Sequence, residues 1–303
     1  MIFRIGELFT DLAKTMAITS VLDPHITRIP INSRDDILEA YRKWGLGLGA
    51  TRWIFRGQQE NGWGLRTTLE RTVFRFGHPL TRAPTIEKGL IRRFIRQSHH
   101  YTLNVPNRDN VVEWLGLMQD YGAPTRLQDW TESFYVALYF AIENAEGAAA
   151  IWALDRTAVD SAVLRLLRLD TCKRCIDENG YIDSRQCFSE VFDRTPPTAL
   201  VLPVNPFRLN ERLVIQQGIF LCPGDITLTF EENLTAVLPS PPHNALLQFV
   251  VGDSVDLRKR ILWQLQHSNM NSATLFPGLD GFARSLATLV AFPETIPPGK
   301  EVP

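Results

Sequence analysis

Between Trp114 and Ala141 the chain reads WLGLMQDYGAPTRLQDWTESFYVALYFA, and no other stretch limits the possible folds as tightly. Its closing run, FYVALYFA, is rich in Ala and Leu and apolar nearly all round, which marks a buried helix rather than a strand. A buried helix carries the unpaired N–H groups and positive dipole end of its first turn into the interior, where they must meet a cap or an anion. Gly122 and Pro124 force a turn upstream. Between turn and helix stand Arg126, Asp129, Thr131, Glu132 and Ser133. Asp129 with Glu132 three residues on fits a variant of the capping box, and Thr131 or Ser133 would cap equally well. The same N-terminus can serve as cap and as binding site.

A second feature lies upstream, where the apolar run Trp53-Ile54-Phe55 reads as a strand and ends in Arg56 and Gly57. Arginine emerging from a buried strand needs a partner. Its rigid fork of donors suits a carboxylate or a phosphate, so Arg56 either closes an internal salt bridge to one of the acids above or receives a ligand. Gly57 lets the backbone bend or approach a ligand closely.

On these two words the chain resembles the FRG domain, which is named for its Phe-Arg-Gly motif and found mostly in bacterial and phage proteins. WIFRGQ and QDYGAPTRLQDWTESFYVALYFA carry the likeness, and IQQGIFLCPGD at 215–225 and TLFPGLDGFARSL at 274–286 extend it. Residues 27–303 would then form the domain behind an N-terminal extension of residues 1–26. More distantly, the chain resembles ADP-ribosyltransferases of the arginine-serine-glutamate type. Arg56 matches their first motif, Thr131-Glu132-Ser133 followed by Val136 to Ala141 is similar to the second, and Gln216-Gln217 with Pro223-Gly224 is similar to the third.

That resemblance implies an NAD cleft. Arg56 would hold the dinucleotide, with Arg126 and Asp129 beside it. Thr131 and Ser133 would form the pocket wall, Tyr121 or Trp130 would stack on nicotinamide, and Gln216 or Gln217 would meet the ribose. Where the transferases have a glutamate this chain has glutamine, which can hydrogen-bond a ribose hydroxyl but brings no negative charge to a developing cation. The implied functions are ADP-ribose transfer or NAD hydrolysis, with a protein or a nucleic acid as acceptor. The alternative is a non-catalytic nucleotide- or partner-binding module, such as a sensor in phage defence or toxin regulation. The glutamines read equally well as a strand-edge pair bonded to backbone.

Composition bounds these readings. The 303 residues carry a formal net charge of −1, so no global field draws the chain to nucleic acid or to anionic membrane. Locally, residues 51–100 hold ten basic side chains against Glu60, Glu70 and Glu87. Such an excess suits phosphate groups or forms a solvated face. No run approaches the ~18 to 20 apolar residues of a membrane span, and acids near the N-terminus argue against a signal peptide, which together point to the cytoplasm. Cys172, Cys175, Cys187 and Cys222 agree with a reducing compartment, in which no disulfide framework is expected. Cys172 and Cys175 form one C-x-x-C whose zinc set lacks a second pair, so no metal is expected and free thiols are the simpler reading.

Along the chain, periodicity predicts a strand at ITRIPI, a helix opened by Ser33 or Asp35, and the strand TRWIFRG. Helices follow at 85–100 and 111–120, then the buried helix and a strand at GAAAIWALD. An irregular insertion is expected at 160–195, strands near 199–203, 213–222 and 226–230, and a last strand LLQFVV and a helix at 257–267 within a C-terminal part, 244–303. The order suits an α+β fold with a split, mostly antiparallel sheet and flanking helices, and the resemblance implies an ADP-ribosyltransferase-like core.

Overall fold

The computed structural model describes residues 20–47, 51–103, 105–167, 188, 191–206, 211–241 and 243–293. Its seven strands are β1 (Ile26–Ile31), β2 (Trp53–Gln58), β3 (Gln128–Thr131), β4 (Ala149–Asp155), β5 (Val201–Val204), β6 (Gly218–Pro223) and β7 (Leu246–Val251). They lie in the order β1-β7-β4-β2-β3-β6-β5. Only β1 and β7 run parallel; the other pairings are antiparallel. Both edge strands carry a proline, Pro30 in β1 and Pro203 in β5. Proline has no N–H to offer a ladder, so it belongs at an edge and discourages further pairing there.

The sheet is split in its middle. β2 matches β4 along six register pairs, whereas β2 and β3 share a single pair, Phe55 with Thr131. Four strands therefore stand on one side of the division and three on the other. Side chains from both halves, among them Ile54, Trp152 and Leu154 from one and Trp130, Phe220 and Leu221 from the other, meet in one large apolar core. The fold is thus α+β with a seven-stranded mixed sheet and helices packed against it.

Those helices are α1 (Arg34–Ala40), α2 (Thr68–Arg75), α3 (Ala83–Ser98), α4 (Val111–Asp120), α5 (Phe134–Ile142), α6 (Arg156–Leu167), α7 (Glu211–Ile215), α8 (Phe230–Thr235), α9 (Val255–His267), α10 (Ser272–Leu275) and α11 (Leu279–Leu289). The FYVALYFA run forms α5 and is buried as its composition requires, packed with α9 and the four-strand half of the sheet in a second core. Its cap is Ser133, whose hydroxyl accepts from the Val136 amide at 3.3 Å. Asp129, by contrast, sits in the exposed middle of β3, too far upstream to reach the first turn.

β2 explains the Phe-Arg-Gly word by strand alternation. Phe55 points to α5 and meets Phe134 edge-on with 5.5 Å between ring centroids. Gly57 points the same way, and a Cβ there would stand 2.1 Å from the Ala137 carbonyl oxygen and 2.6 Å from the Ala141 nitrogen. The close approach that Gly57 permits is thus to helix α5. Arg56, between them, points to the other face.

Four expectations change. The segment 226–230 is not a strand, because Thr229 and Glu232 make a reciprocal capping box that starts α8. The strand expected over 213–222 is confined to Gly218–Pro223, since α7 occupies the earlier residues and Gln217 adopts a left-handed φ of 48°. Residues 160–167, expected within the irregular insertion, are helical instead, because α6 continues into the core, and 168–187 lie outside the described residues. Leu22, inside the expected extension, is fully buried. Cys172, Cys175 and Cys187 lie outside the described residues, while Cys222 is a buried free thiol. Among the described residues no group of ligands could hold a metal ion and no helix is long and apolar enough to cross a membrane.

Candidate functional site

Where β2 and β3 diverge, a cleft of about 1180 Å³ opens. Antiparallel strands that separate leave backbone groups without partners, and Arg56 spans the gap by donating from Nη1 to the Asp129 carbonyl oxygen at 2.5 Å. Its Nε is shielded from solvent and makes no hydrogen bond, and Arg56 forms no ion pair among the described residues. Burial pulls its pKa below the ordinary arginine value, opposed by Asp129 and helped by Arg71. The guanidinium stays charged all the same.

Two more arginines join it. Arg71 of α2, whose pKa is lowered first by burial, donates to the Arg66 carbonyl at 2.9 Å, and both line the cleft. Facing them, the Asp129 carboxylate accepts from Gln119 Nε2 at 2.8 Å. Gln119 is oriented by Thr125, whose hydroxyl donates to its amide oxygen. The cleft therefore holds a cationic corner with one carboxylate.

The other walls carry aromatic rings and acids. Trp63 is 48% exposed at the mouth, and Phe140 and Phe276 pack together with centroids 5.8 Å apart deeper in. Arg212 and Arg284 lie over the Phe276 ring at 4.7 and 5.2 Å. Glu143, just beyond α5, lines the same wall, and burial raises its pKa above the usual carboxylate range despite Tyr139 and Arg284 nearby. Glu231 accepts from the Leu65 amide and the Ser20 hydroxyl, so its oxygens already serve the fold.

The structure brings five of the expected site residues into this cleft: Arg56, Asp129, Trp130, Thr131 and Gln216. Several of them are already engaged. The Thr131 hydroxyl donates to the Gln216 carbonyl at 2.6 Å, and the Gln216 amide donates to the Leu275 carbonyl at 2.8 Å. Trp130 is buried with its indole N–H on Gln128, so it offers the cleft little open ring face.

Four expected residues lie elsewhere. Arg126 is sealed in a buried pair with Glu87, formed through Nε and Nη2, because the buried acid of α3 needs a cation. Ser133 is spent on the α5 cap. Gln217 is exposed in its left-handed turn, and its carbonyl accepts from the Glu132 amide. Tyr121 is 72% exposed beyond α4, away from the lining. Arg71, Gln119, Trp63 and Glu143 were not singled out from sequence. Arg71 stood within the basic excess, and Glu143 follows the apolar run directly, but neither position shows its partners until the sheet is assembled.

Comparison with known proteins adds one match. Residues 51–149 match the family model described as FRG domain. That interval begins just before β2 and ends at the start of β4, and so contains Arg56, Arg66, Arg71, Gln119, Asp129 and Glu143. No curated protein and no solved structure matches.

Proposed function

This chain carries an FRG domain at residues 51–149, and from that premise we propose that its cleft binds a dinucleotide of the NAD type on an ADP-ribosyltransferase-like core. One observation carries the reading: Arg56 is held at the division of the sheet by a backbone carbonyl rather than a carboxylate, which leaves its charge uncompensated at hydrogen-bond range, beside Arg66 and Arg71. A bidentate guanidinium is the group best matched to a phosphate, and a pyrophosphate would satisfy the shielded Nε. The cleft is roomy enough for a dinucleotide, and Trp63 presents an open ring to a base. Cleavage of the bond between nicotinamide and ribose wants negative charge near the ribosyl carbon. Gln216 brings none, so Asp129 or Glu143 would supply it. We place the protein in the cytoplasm, where its described cysteine stays a free thiol.

A second reading, a nucleotide-binding module without chemistry, is favoured by the engagement of Gln216 and Thr131 within the fold and by Ser133 lying outside the cleft. Role assignments in phage defence or in a toxin system belong to either reading. A melting series with NAD, NADP, ADP-ribose and nicotinamide tests binding, since a ligand of the native state raises its stability. Chromatography of the same NAD samples then separates the two readings. Release of nicotinamide supports the enzyme, and intact NAD with raised melting supports the module.

A further inference from the structure

Helix α3 exposes Lys88, Arg92, Arg93 and Arg96. Lys88, Arg92 and Arg96 follow one another at four-residue intervals, so they rise in a row about 6 Å apart along one side, with Arg93 beside them. None of the four has an ion pair or a side-chain hydrogen bond among the described residues. An ordinary solvated helix face intersperses acids with bases and gains from their pairing. Here the only acid in the helix, Glu87, is 1% exposed and turned inward onto Arg126. The outer face therefore holds four cations and no anion, on a chain whose formal net charge is −1.

Exposed aromatic residues stand in the chain before and after this helix. Phe76, where α2 ends and the chain turns toward α3, is 65% exposed with the Arg75 guanidinium 5.6 Å from its centroid. Tyr101, just past the C-terminus of α3, is 87% exposed. Cations that receive phosphates, together with open rings on which unstacked bases can stack, are the combination by which single strands are bound. From this we infer that the outer face of α3, with Phe76 and Tyr101, is a binding surface for single-stranded nucleic acid. The inference does not depend on what the cleft binds.

Fluorescence anisotropy of the full chain with a labelled mixed-sequence 20-mer, single-stranded and as its duplex, tests it across a salt series. The wild type binds the single strand more tightly than the duplex. Arg92→Gln/Arg93→Gln/Arg96→Gln weakens binding at least tenfold at low salt and flattens the slope of log affinity against log salt by about 2, as loss of three phosphate contacts on a single strand requires. Tyr101→Ala weakens binding about fivefold or more and leaves the slope unchanged, because it removes stacking and no charge. All the substituted residues are exposed, and a melting curve for each variant confirms folding; should the triple variant fail to fold, Arg93→Gln and Tyr101→Ala singly give the same two readouts. No binding by the wild type at low salt, equal binding by the substituted proteins, or attachment to vesicles of anionic lipid with none to the 20-mer would overturn the proposal.

Discussion

Two arginines, one in β2 and one just before β3, meet opposite fates. Arg126 points into the core between α3 and the three-strand half of the sheet, where Glu87 takes two of its nitrogens and the Phe192 ring lies 4.4 Å from its guanidinium. Arg56 points into the division between the halves, where one carbonyl is its only hydrogen-bond partner among the described residues. Both are charged and both are largely withdrawn from water. What differs is the compensation: a full opposite charge closes the first site, whereas the second is left open to an incoming anion. A buried charge without a counter-ion costs several kcal/mol, and the proposed dinucleotide is what would offset that cost at Arg56.

The largest effect that sharpens this contrast is at the closed site. Arg126→Ala leaves the Glu87 carboxylate buried and alone, and should destabilise the fold by about 3 to 5 kcal/mol in a urea titration. The folded fraction should bind a dinucleotide as the wild type does; a mild loss of stability with lost binding would reverse the roles given to the two arginines.

Next in size is a carboxylate near the open site. Burial pushes the Glu70 pKa up to about 7, opposed by the Phe230 amide that donates to it and by Arg66 at 3.8 Å, and helped by Glu231. A raised carboxyl pKa means that the fold favours the neutral acid. Its contribution to stability is complete below the ordinary value near 4.5 and is lost as pH climbs through about 7, by at most about 3 kcal/mol. Glu70→Gln should flatten the decline in melting temperature between pH 5 and 8, on a scale of pH set by these values. An unchanged decline would show that another group causes it.

Gly57→Ala tests why the arginine stands where it does. The added methyl meets backbone of α5 on both sides, which costs about 1 to 3 kcal/mol by overpacking and displaces Arg56 with its strand. Melting and dinucleotide affinity should therefore fall together. A variant as stable as the wild type would mean that β2 and α5 are looser than their contact implies.

The smallest predicted effects separate cap from cleft. Ser133→Ala should cost about 0.5 to 2 kcal/mol through the lost cap, whereas Asp129→Asn should leave stability within about 0.5 kcal/mol, since Asp129 caps nothing and its side chain is exposed. The reverse order would restore Asp129 as the helix cap.

Much of this was legible in the residues and some of it was not. FYVALYFA and LLQFVV declare buried elements by composition alone, and Ser133 was among three candidate caps that spacing could not separate. The role of Arg126 was hidden because Glu87 lies 39 positions away and neighbours it only after α3 packs. Strand β3 was concealed by its own alternation, since a four-residue strand between a turn and a cap reads as loop chemistry. Gln216 was foreseen at the cleft, but its bond to the Leu275 carbonyl depends on α10, whose approach no local pattern announces.

The central claim, that Arg56 is left open for a phosphate, is tested most directly by calorimetric titration of NAD into the wild type and Arg56→Lys, beside a denaturant melt of each. Lysine keeps the charge and loses the fork, so the variant should melt with the wild type and bind at least about tenfold more weakly, roughly 1.4 kcal/mol. No heat from the wild type with NAD or ADP-ribose, or equal affinity in a stable Arg56→Lys protein, would contradict the account.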